Sequence, residues 1–220
     1  MEGYDVVKWL HVLLFGVWLG SDYGTFLSSR FMQRADKSIE TRLTAARMML
    51  LFDLGPRLAL VLMLPLGLTL ASQMGVAALA SWVVPAAWVV TAVWLAMVAA
   101  VELGEGRPWR DPLRRVDFVI RSAVALLTLG YGLVSVIGEG PFATGWLAWK
   151  VLLFGAIVSS GIGIRLTLPA FSSAFGAIVT GGSTPDREAA LRGAIARTYP
   201  FVGSIWLMVL VAGLLGTAKP

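Results

Sequence analysis

Six apolar segments, each long enough to cross a bilayer, constrain this chain more than any other feature of its sequence. A helix rises about 1.5 Å per residue, so roughly 20 apolar residues span a hydrocarbon core of about 30 Å. The segments lie near 6–30, 48–73, 78–102, 116–138, 146–172 and 198–218. Backbone groups in lipid must be satisfied within the protein, which favours helices. We therefore predict an all-α, polytopic transmembrane bundle of about six helices, forming one domain over 1–220.

Composition agrees with that prediction and removes several classes of function. Hydrophobic residues make up 57% of the chain and charged residues 14%, which is too apolar for a soluble domain. The excess of Lys and Arg over acidic residues is typical of cytoplasmic loops, so we expect no nucleic acid partner. Cysteine is absent, which removes thiolate metal sites and cysteine nucleophiles. The sequence also lacks phosphate-loop, HExxH and GxSxG motifs, so ATP-driven, zinc-hydrolytic and serine-hydrolase chemistries have no support.

The distribution of positive charge predicts how the bundle crosses the membrane. Lys and Arg cluster in the connections between segments one and two, three and four, and five and six, whereas the turns at 73–80 and 138–145 contain neither. Because positive charge is retained on the cytoplasmic side, we expect a multi-pass inner (plasma) membrane protein with both termini outside. Amphipathic runs at 34–47 and 187–197 are expected to lie at the interface as short helices.

The first and fifth segments resemble each other, which suggests an internal repeat. An offset of 139 residues superimposes 12–16 (VLLFG) on 151–155 without a gap. Further identities at this offset are Ser21 with Ser160, Gly24 with Gly163, and Leu27 with Leu166. Helices separated by four crossings run in the same direction, so we predict a parallel repeat of helices one and two in helices five and six. The same offset brings His11 onto Lys150.

The single histidine, His11, is the sharpest candidate for chemistry. At helical spacing it shares one narrow face with Phe15, Trp18 and Asp22, and glycines line the roughly opposite face. An ionisable group in hydrocarbon costs about 2.5–3.5 kcal/mol even on the lenient insertion scale, so each one invites a reason. A neutral imidazole facing a bundle interior is a natural ligand for haem iron. The alternative is an interfacial histidine bonded to a carbonyl or to water.

Lys150 and two methionines each have a structural and a functional interpretation. Lys150 is either a snorkelling interfacial lysine or an amine aimed inward, on a helix face shared with Phe154. Met74 and Met208 are either packing residues or a second axial ligand, and packing is the usual role of methionine in a bundle.

Three ionisable residues are expected in the inner half of the bundle. Asp53 and Arg57 stand at i and i+4 on the second helix, and Asp22 should lie at similar depth on the first. We favour a buried ion pair or triad that locks the first two helices together over a proton path. Alternatively, Arg57 could anchor an anionic ligand.

Short motifs in three segments carry a resemblance to known families. Residues 7–11 (VKWLH) followed by 18–20 (WLG) resemble the opening helix of the CopD-like and HemJ-like membrane families. Residues 146–150 (WLAWK) are similar to the lysine-bearing helix start of HemJ-type proteins, and 200–220 looks like their final helix.

This resemblance implies a function. HemJ-type proteins are membrane oxidases of protoporphyrinogen that bind haem b, and CopD-type proteins are associated with copper handling. Carried over, the resemblance implies His11 as a haem ligand, Lys150 as its functional partner, and Arg30 as the arginine after the first helix. The chain departs from the HemJ pattern at Thr198 and Tyr199, where Asn and Glu are expected, and in lacking a histidine just beyond the first helix.

We therefore expect a haem b protein that serves electron transfer or porphyrin oxidation linked to a quinone. His11 would be the metal ligand, with Lys150 or Lys8 neutralising the propionates. The residues expected to hold the cofactor are His11, Lys150, Phe15, Trp18, Phe154 and Arg57. The alternatives are a copper or small-solute transporter of CopD type and a non-catalytic anchor or assembly subunit of a membrane complex. Whichever function holds, the expected partners are the lipid bilayer and a second copy of the chain or a larger membrane complex.

Overall fold

Seven α-helices form the regular structure in this computed structural model, which describes residues 3–142 and 144–219. In chain order they are α1 (Gly3–Met32), α2 (Ile39–Gln73), α3 (Val83–Leu103), α4 (Arg110–Val136), α5 (Gly145–Gly181), α6 (Pro185–Ala196) and α7 (Tyr199–Ala218). Within these ranges there is no strand, so the prediction of an all-α chain is confirmed.

Five stretches of the described chain are long and apolar enough to cross a membrane: α2, α3, α4, α5 and the continuous stretch of α6 with α7. These helices are compatible with a multi-pass membrane bundle in contact with lipid. The first helix is 30 residues long but falls outside this set. Its apolar surface is interrupted by Asp5, Lys8, His11 and Asp22.

Two helices are longer than a bilayer requires. The run at 34–47 does not form a separate interfacial helix, because α2 starts at Ile39, where the Ser38 side chain accepts the Thr41 N–H, and continues to Gln73. The fifth helix runs nine residues beyond the predicted end at 172. At 37 residues it is about 55 Å long, well beyond the ~30 Å of hydrocarbon. Its last turns pack with α6 and the start of α2.

The helices pack as antiparallel neighbours. The most extensive interfaces join α1 with α2, α4 with α5, and α5 with α7, whereas α1 and α7 meet mainly through side chains, such as Trp206 with Asp22. Gly155 permits a close approach between α4 and α5, because a Cβ there would lie 2.7 Å from the Leu129 backbone nitrogen. Small residues allow such backbone contact in membrane bundles.

One core runs through the bundle, and smaller clusters lie at its two ends. The main core joins six helices, including Trp18 and Trp94, which are 4% and 2% exposed. At one end Met32, Phe175 and Leu191 pack α6 against α1, α2 and α5, beside Arg42 and Glu188, and we call this the arginine end. We call the other end, where His11, Gly67, Lys150 and Gly216 lie, the histidine end.

Candidate functional site

His11 faces the second helix at the histidine end. A Cβ added to Gly67 of α2 would lie 3.6 Å from the His11 Cε1 atom, so the ring packs against another helix. Lys150, on α5, is close enough for its charge to act on the His11 ring. Two side chains separated by 139 residues in sequence therefore share one end of the bundle.

The His11 ring has an unsatisfied nitrogen. Its Nδ1 atom is buried, and no hydrogen-bond partner for it occurs among the described residues. The great majority of buried polar atoms have a partner, so each exception calls for an explanation. In a neutral imidazole one ring nitrogen carries an N–H and the other carries a lone pair. Whichever of the two groups Nδ1 carries, no protein atom in the described chain uses it, so it is free for a ligand.

The aromatic residues expected around His11 all pack in or against the main core. Phe15, one turn further along α1, lies against α7, where a Cβ on Gly213 would be 2.8 Å from its ring. Phe154 is half-buried against the main core, and Trp18 is fully part of that core. Phe15 and Phe154 are thus both half-buried against the main core, and Phe15 also lies at the boundary between α1 and α7.

Lys150 lies between α5 and α7. Its Nζ atom is 2.6 Å from the position of a Cβ on Gly216, and it sits 5.9 Å from the centre of the Trp146 ring. The Nζ atom of Lys219 lies 6.0 Å from the same ring. A further buried polar atom without a partner in the described chain, the Oγ1 atom of Thr144, precedes this helix.

Arg57 lies toward the arginine end, among acidic side chains. It bonds to Asp53 on its own helix and pairs with Glu102 of α3 at 3.6 Å. The predicted contact between Asp53 and Arg57 is confirmed, but both side chains are about one third exposed and the pair does not lock α1 to α2, so that part of the prediction is wrong. Asp22 is not a direct partner of Arg57: it accepts a hydrogen bond from the Trp206 Nε1 at 3.2 Å and faces Asp53 within electrostatic range. The arginine thus joins α2 to α3.

Sequence reasoning missed a buried cluster around Asp117 in the fourth helix. This carboxylate accepts hydrogen bonds from Trp94 Nε1 at 2.8 Å, Arg121 Nε at 3.0 Å and Arg165 Nη1 at 2.5 Å. The spacing of Asp117 and Arg121 at i and i+4 was a usable signal. The contributions of Trp94 and Arg165 depend on the tertiary fold. The cluster joins α3, α4 and α5.

Arg42 and Glu188 form a second ion pair that sequence reasoning missed. Two hydrogen bonds of 2.7 and 3.0 Å join the Arg42 guanidinium to the Glu188 carboxylate, and Arg42 is completely buried. The remaining groups are also used: Arg42 Nε donates to the Met32 carbonyl, and the Ser183 hydroxyl donates to Glu188. The Arg42 hydrogen bond holds the pKa of Glu188 below its ordinary value.

Two cavities lie away from His11. One of about 340 Å³ follows the surface of α4 near Tyr131, and one of about 620 Å³ lies between α5 and α6 near Gly193.

Within the described ranges no three His, Cys, Asp or Glu side chains converge as a metal site would require. Of the methionines considered as ligands, Met74 caps α2 and Met208 packs against the main core. Arg30 is exposed in the last turn of α1.

The geometry of the histidine end is the main guide to function. None of the protein-family models, curated proteins or solved structures compared with the chain matches it. The features that bear on function are therefore the unpartnered His11 nitrogen, the neighbouring Lys150, and the apolar helices that hold both.

Proposed function

We propose that this chain is an integral membrane protein that binds haem b through His11 and serves in electron transfer or porphyrin oxidation. One observation carries the proposal: the His11 ring is turned toward a neighbouring helix and has a buried nitrogen without a hydrogen-bond partner in the described chain. Imidazole is a common haem ligand, and bound haem supplies one-electron exchange between ferrous and ferric iron. A membrane quinone is the electron partner in this proposal.

The residues around His11 would hold the porphyrin in distinct ways. Phe15 and Phe154 supply apolar surface, and Lys150 supplies a positive charge at the same end. Neither described cavity reaches His11, so room for a porphyrin requires that Phe15 moves away from Gly213. Other side-chain contacts between α1 and α7, such as Trp206 with Asp22 and Phe26 with Tyr199, lie toward the arginine end, which favours separation of the two helices at the histidine end.

We also propose an orientation for the bundle. The arginine end faces the cytoplasm and both termini lie outside, with α1 as the sixth span of a protein in an inner (plasma) membrane. The connections that carry most of the Lys and Arg residues all lie at the arginine end, which supports this orientation. Under this arrangement the haem site lies near the outer surface.

A parallel internal repeat is part of the proposal. Contacts between α1 and α2 recur between α5 and α7 when the first helix of each pair is shifted by 139 residues and the second by 149. The matching contacts are His11–Gly67 with Lys150–Gly216, Ser21–Gly55 with Ser160–Ser204, and Gly24–Phe52 with Gly163–Phe201. The repeat therefore assigns His11 and Lys150 to equivalent positions in two similar helix pairs.

The visible spectrum of the purified protein tests this function. We expect the wild-type protein, purified in mild detergent from haem-replete cells, to show a Soret band that His11→Ala loses. Gly20→Ala is the matched control on the same helix, because nothing lies within 4 Å of the added Cβ, and it should keep the band. A colourless wild-type protein, or an unchanged band in His11→Ala, would contradict haem binding and favour a transporter or an anchor subunit.

A further inference from the structure

We infer that Lys150 and Lys219 together form a carboxylate-binding pair that receives the two propionates of the porphyrin. The inference rests on the proposed function, because it names how the ligand of that same site is held. Lys219 carried no signal as a site residue in the sequence, since it follows the last apolar segment in a position where a snorkelling lysine is common.

The two ammonium groups lie at similar distances from the centre of one aromatic ring, although they come from different helices. Lys150 approaches Trp146 from within α5, with its Nζ atom 5.9 Å from the ring centre. Lys219 approaches from the end of α7, with its Nζ atom 6.0 Å from the same centre. Lys219 is held by a left-handed cap in which its N–H donates to the Leu215 carbonyl at 3.0 Å.

This pair of positive charges has no acidic partner in the part of the chain that the structure describes. Neither lysine forms an ion pair with an Asp or Glu there, and each is close enough to repel the other. Lys150 is also half-buried, so its ammonium has lost part of its water. Two like charges near each other are unfavourable, more so when one of them, as here Lys150, is half-buried while the other is exposed, and a bound anion offsets this cost.

The ligand chemistry that fits is a flat apolar body with two carboxylates at one edge. The carboxylates would accept charge-assisted hydrogen bonds from the two ammonium groups. Lys8, the other lysine expected near the propionates, differs from the pair: its Nζ atom lies 5.9 Å from the Tyr4 ring on its own helix turn, with no second lysine over that ring in the described chain. The structure thus favours Lys150 with Lys219 over Lys8.

Comparison of haem with haem dimethyl ester, in which both carboxylates are masked, tests the inference. Each is titrated into the purified full chain in nanodiscs of a neutral phospholipid, and the affinity is read from the Soret band. The affinity of the wild-type protein for haem should exceed its affinity for the ester by roughly tenfold to a hundredfold, which is the ratio expected from one or two hydrogen bonds to charged groups. Lys150→Gln and Lys219→Gln should each reduce this preference, the double variant should abolish it, and Lys8→Gln should retain it.

The outcomes separate this inference from the proposed function. Equal binding of haem and ester by wild-type protein, with a Soret band that depends on His11, would overturn the lysine pair and leave haem binding standing. A preference that is unchanged in the double variant, or lost only in Lys8→Gln, would also overturn it. Failure of both compounds to bind would contradict the proposed function itself, and the lysine pair with it.

Discussion

The two ends of this bundle differ in whether their polar and charged side chains have partners. At the arginine end Arg42 is completely buried, yet each of its polar groups meets an acceptor, and Glu188 is fully satisfied in return. At the histidine end His11 has a buried nitrogen without a partner, and Lys150 faces a second lysine without an acid, among the described residues. Paired charges fix helices to one another, whereas unpaired ones are free to meet a ligand. This difference is the reason we propose ligand binding at the histidine end and a structural role for the arginine end.

Removal of Arg42 should have the largest effect. In Arg42→Ala the Glu188 carboxylate remains buried without its partner, and breaking such a pair costs about 3–5 kcal/mol. Unfolding in detergent micelles, followed by circular dichroism against denaturant, measures the change. The matched control is Arg30→Ala, an exposed arginine of α1, which should shift the free energy of unfolding by less than about 0.5 kcal/mol. Equal effects of the two variants would contradict a structural role for the buried pair.

A glycine substitution should have the next largest effect. Gly155→Val places side-chain atoms against the Leu129 backbone, which cannot move as a flexible side chain can, and overpacking of this kind typically costs about 1–3 kcal/mol. Gly20→Val is the control, since its Cβ would enter open space. The free energies of unfolding of the two variants in the same detergent provide the measurement. A Gly155→Val protein as stable as Gly20→Val would show that α4 and α5 do not pack this closely.

The stabilising effect of Glu188 should depend on pH. Its pKa is lower in the folded protein than in the unfolded chain, so its contribution is complete above the unfolded value of about 4.3 and is lost as pH falls through the folded value. We expect wild type to be more stable than Glu188→Gln at pH 7, with a difference that shrinks below about pH 4. A difference that stays constant down to acid pH would contradict the charged Arg42–Glu188 pair.

Loss of Lys150 should have the smallest effect on stability. Lys150→Gln removes a charge that repels Lys219 and breaks no ion pair in the described chain, so the free energy of unfolding should change by less than about 0.5 kcal/mol. The same denaturant titration, without added haem, checks this. A loss as large as that of Arg42→Ala would show that Lys150 holds helices together, and would remove the contrast between the two ends.

The features that depend on local sequence patterns could be predicted from the sequence. Apolar length predicted helices, and spacing at i and i+4 predicted the Asp53–Arg57 pair. These signals are readable because each depends on helix geometry within a segment.

Long-range partners were not predictable in the same way. Arg42 and Glu188 are 146 residues apart, and no periodicity relates the start of α2 to α6. The run at 34–47 reads as amphipathic, but Ser38 caps a helix that then continues unbroken into the apolar segment, so the polar and apolar parts form one element. Lys219 could not be predicted as a site residue because its position near Trp146 of α5 depends on how α7 packs.

The haem-induced shift in the unfolding temperature of wild type and His11→Ala tests the central claim most directly. A ligand that binds only the folded state raises its stability by mass action, whatever the spectrum of the complex. The account predicts that added haem raises the unfolding midpoint of the wild-type protein and of Gly20→Ala, and leaves that of His11→Ala unchanged. An equal rise in His11→Ala, or no rise in the wild-type protein, would contradict the assignment of His11 as the group that holds the cofactor.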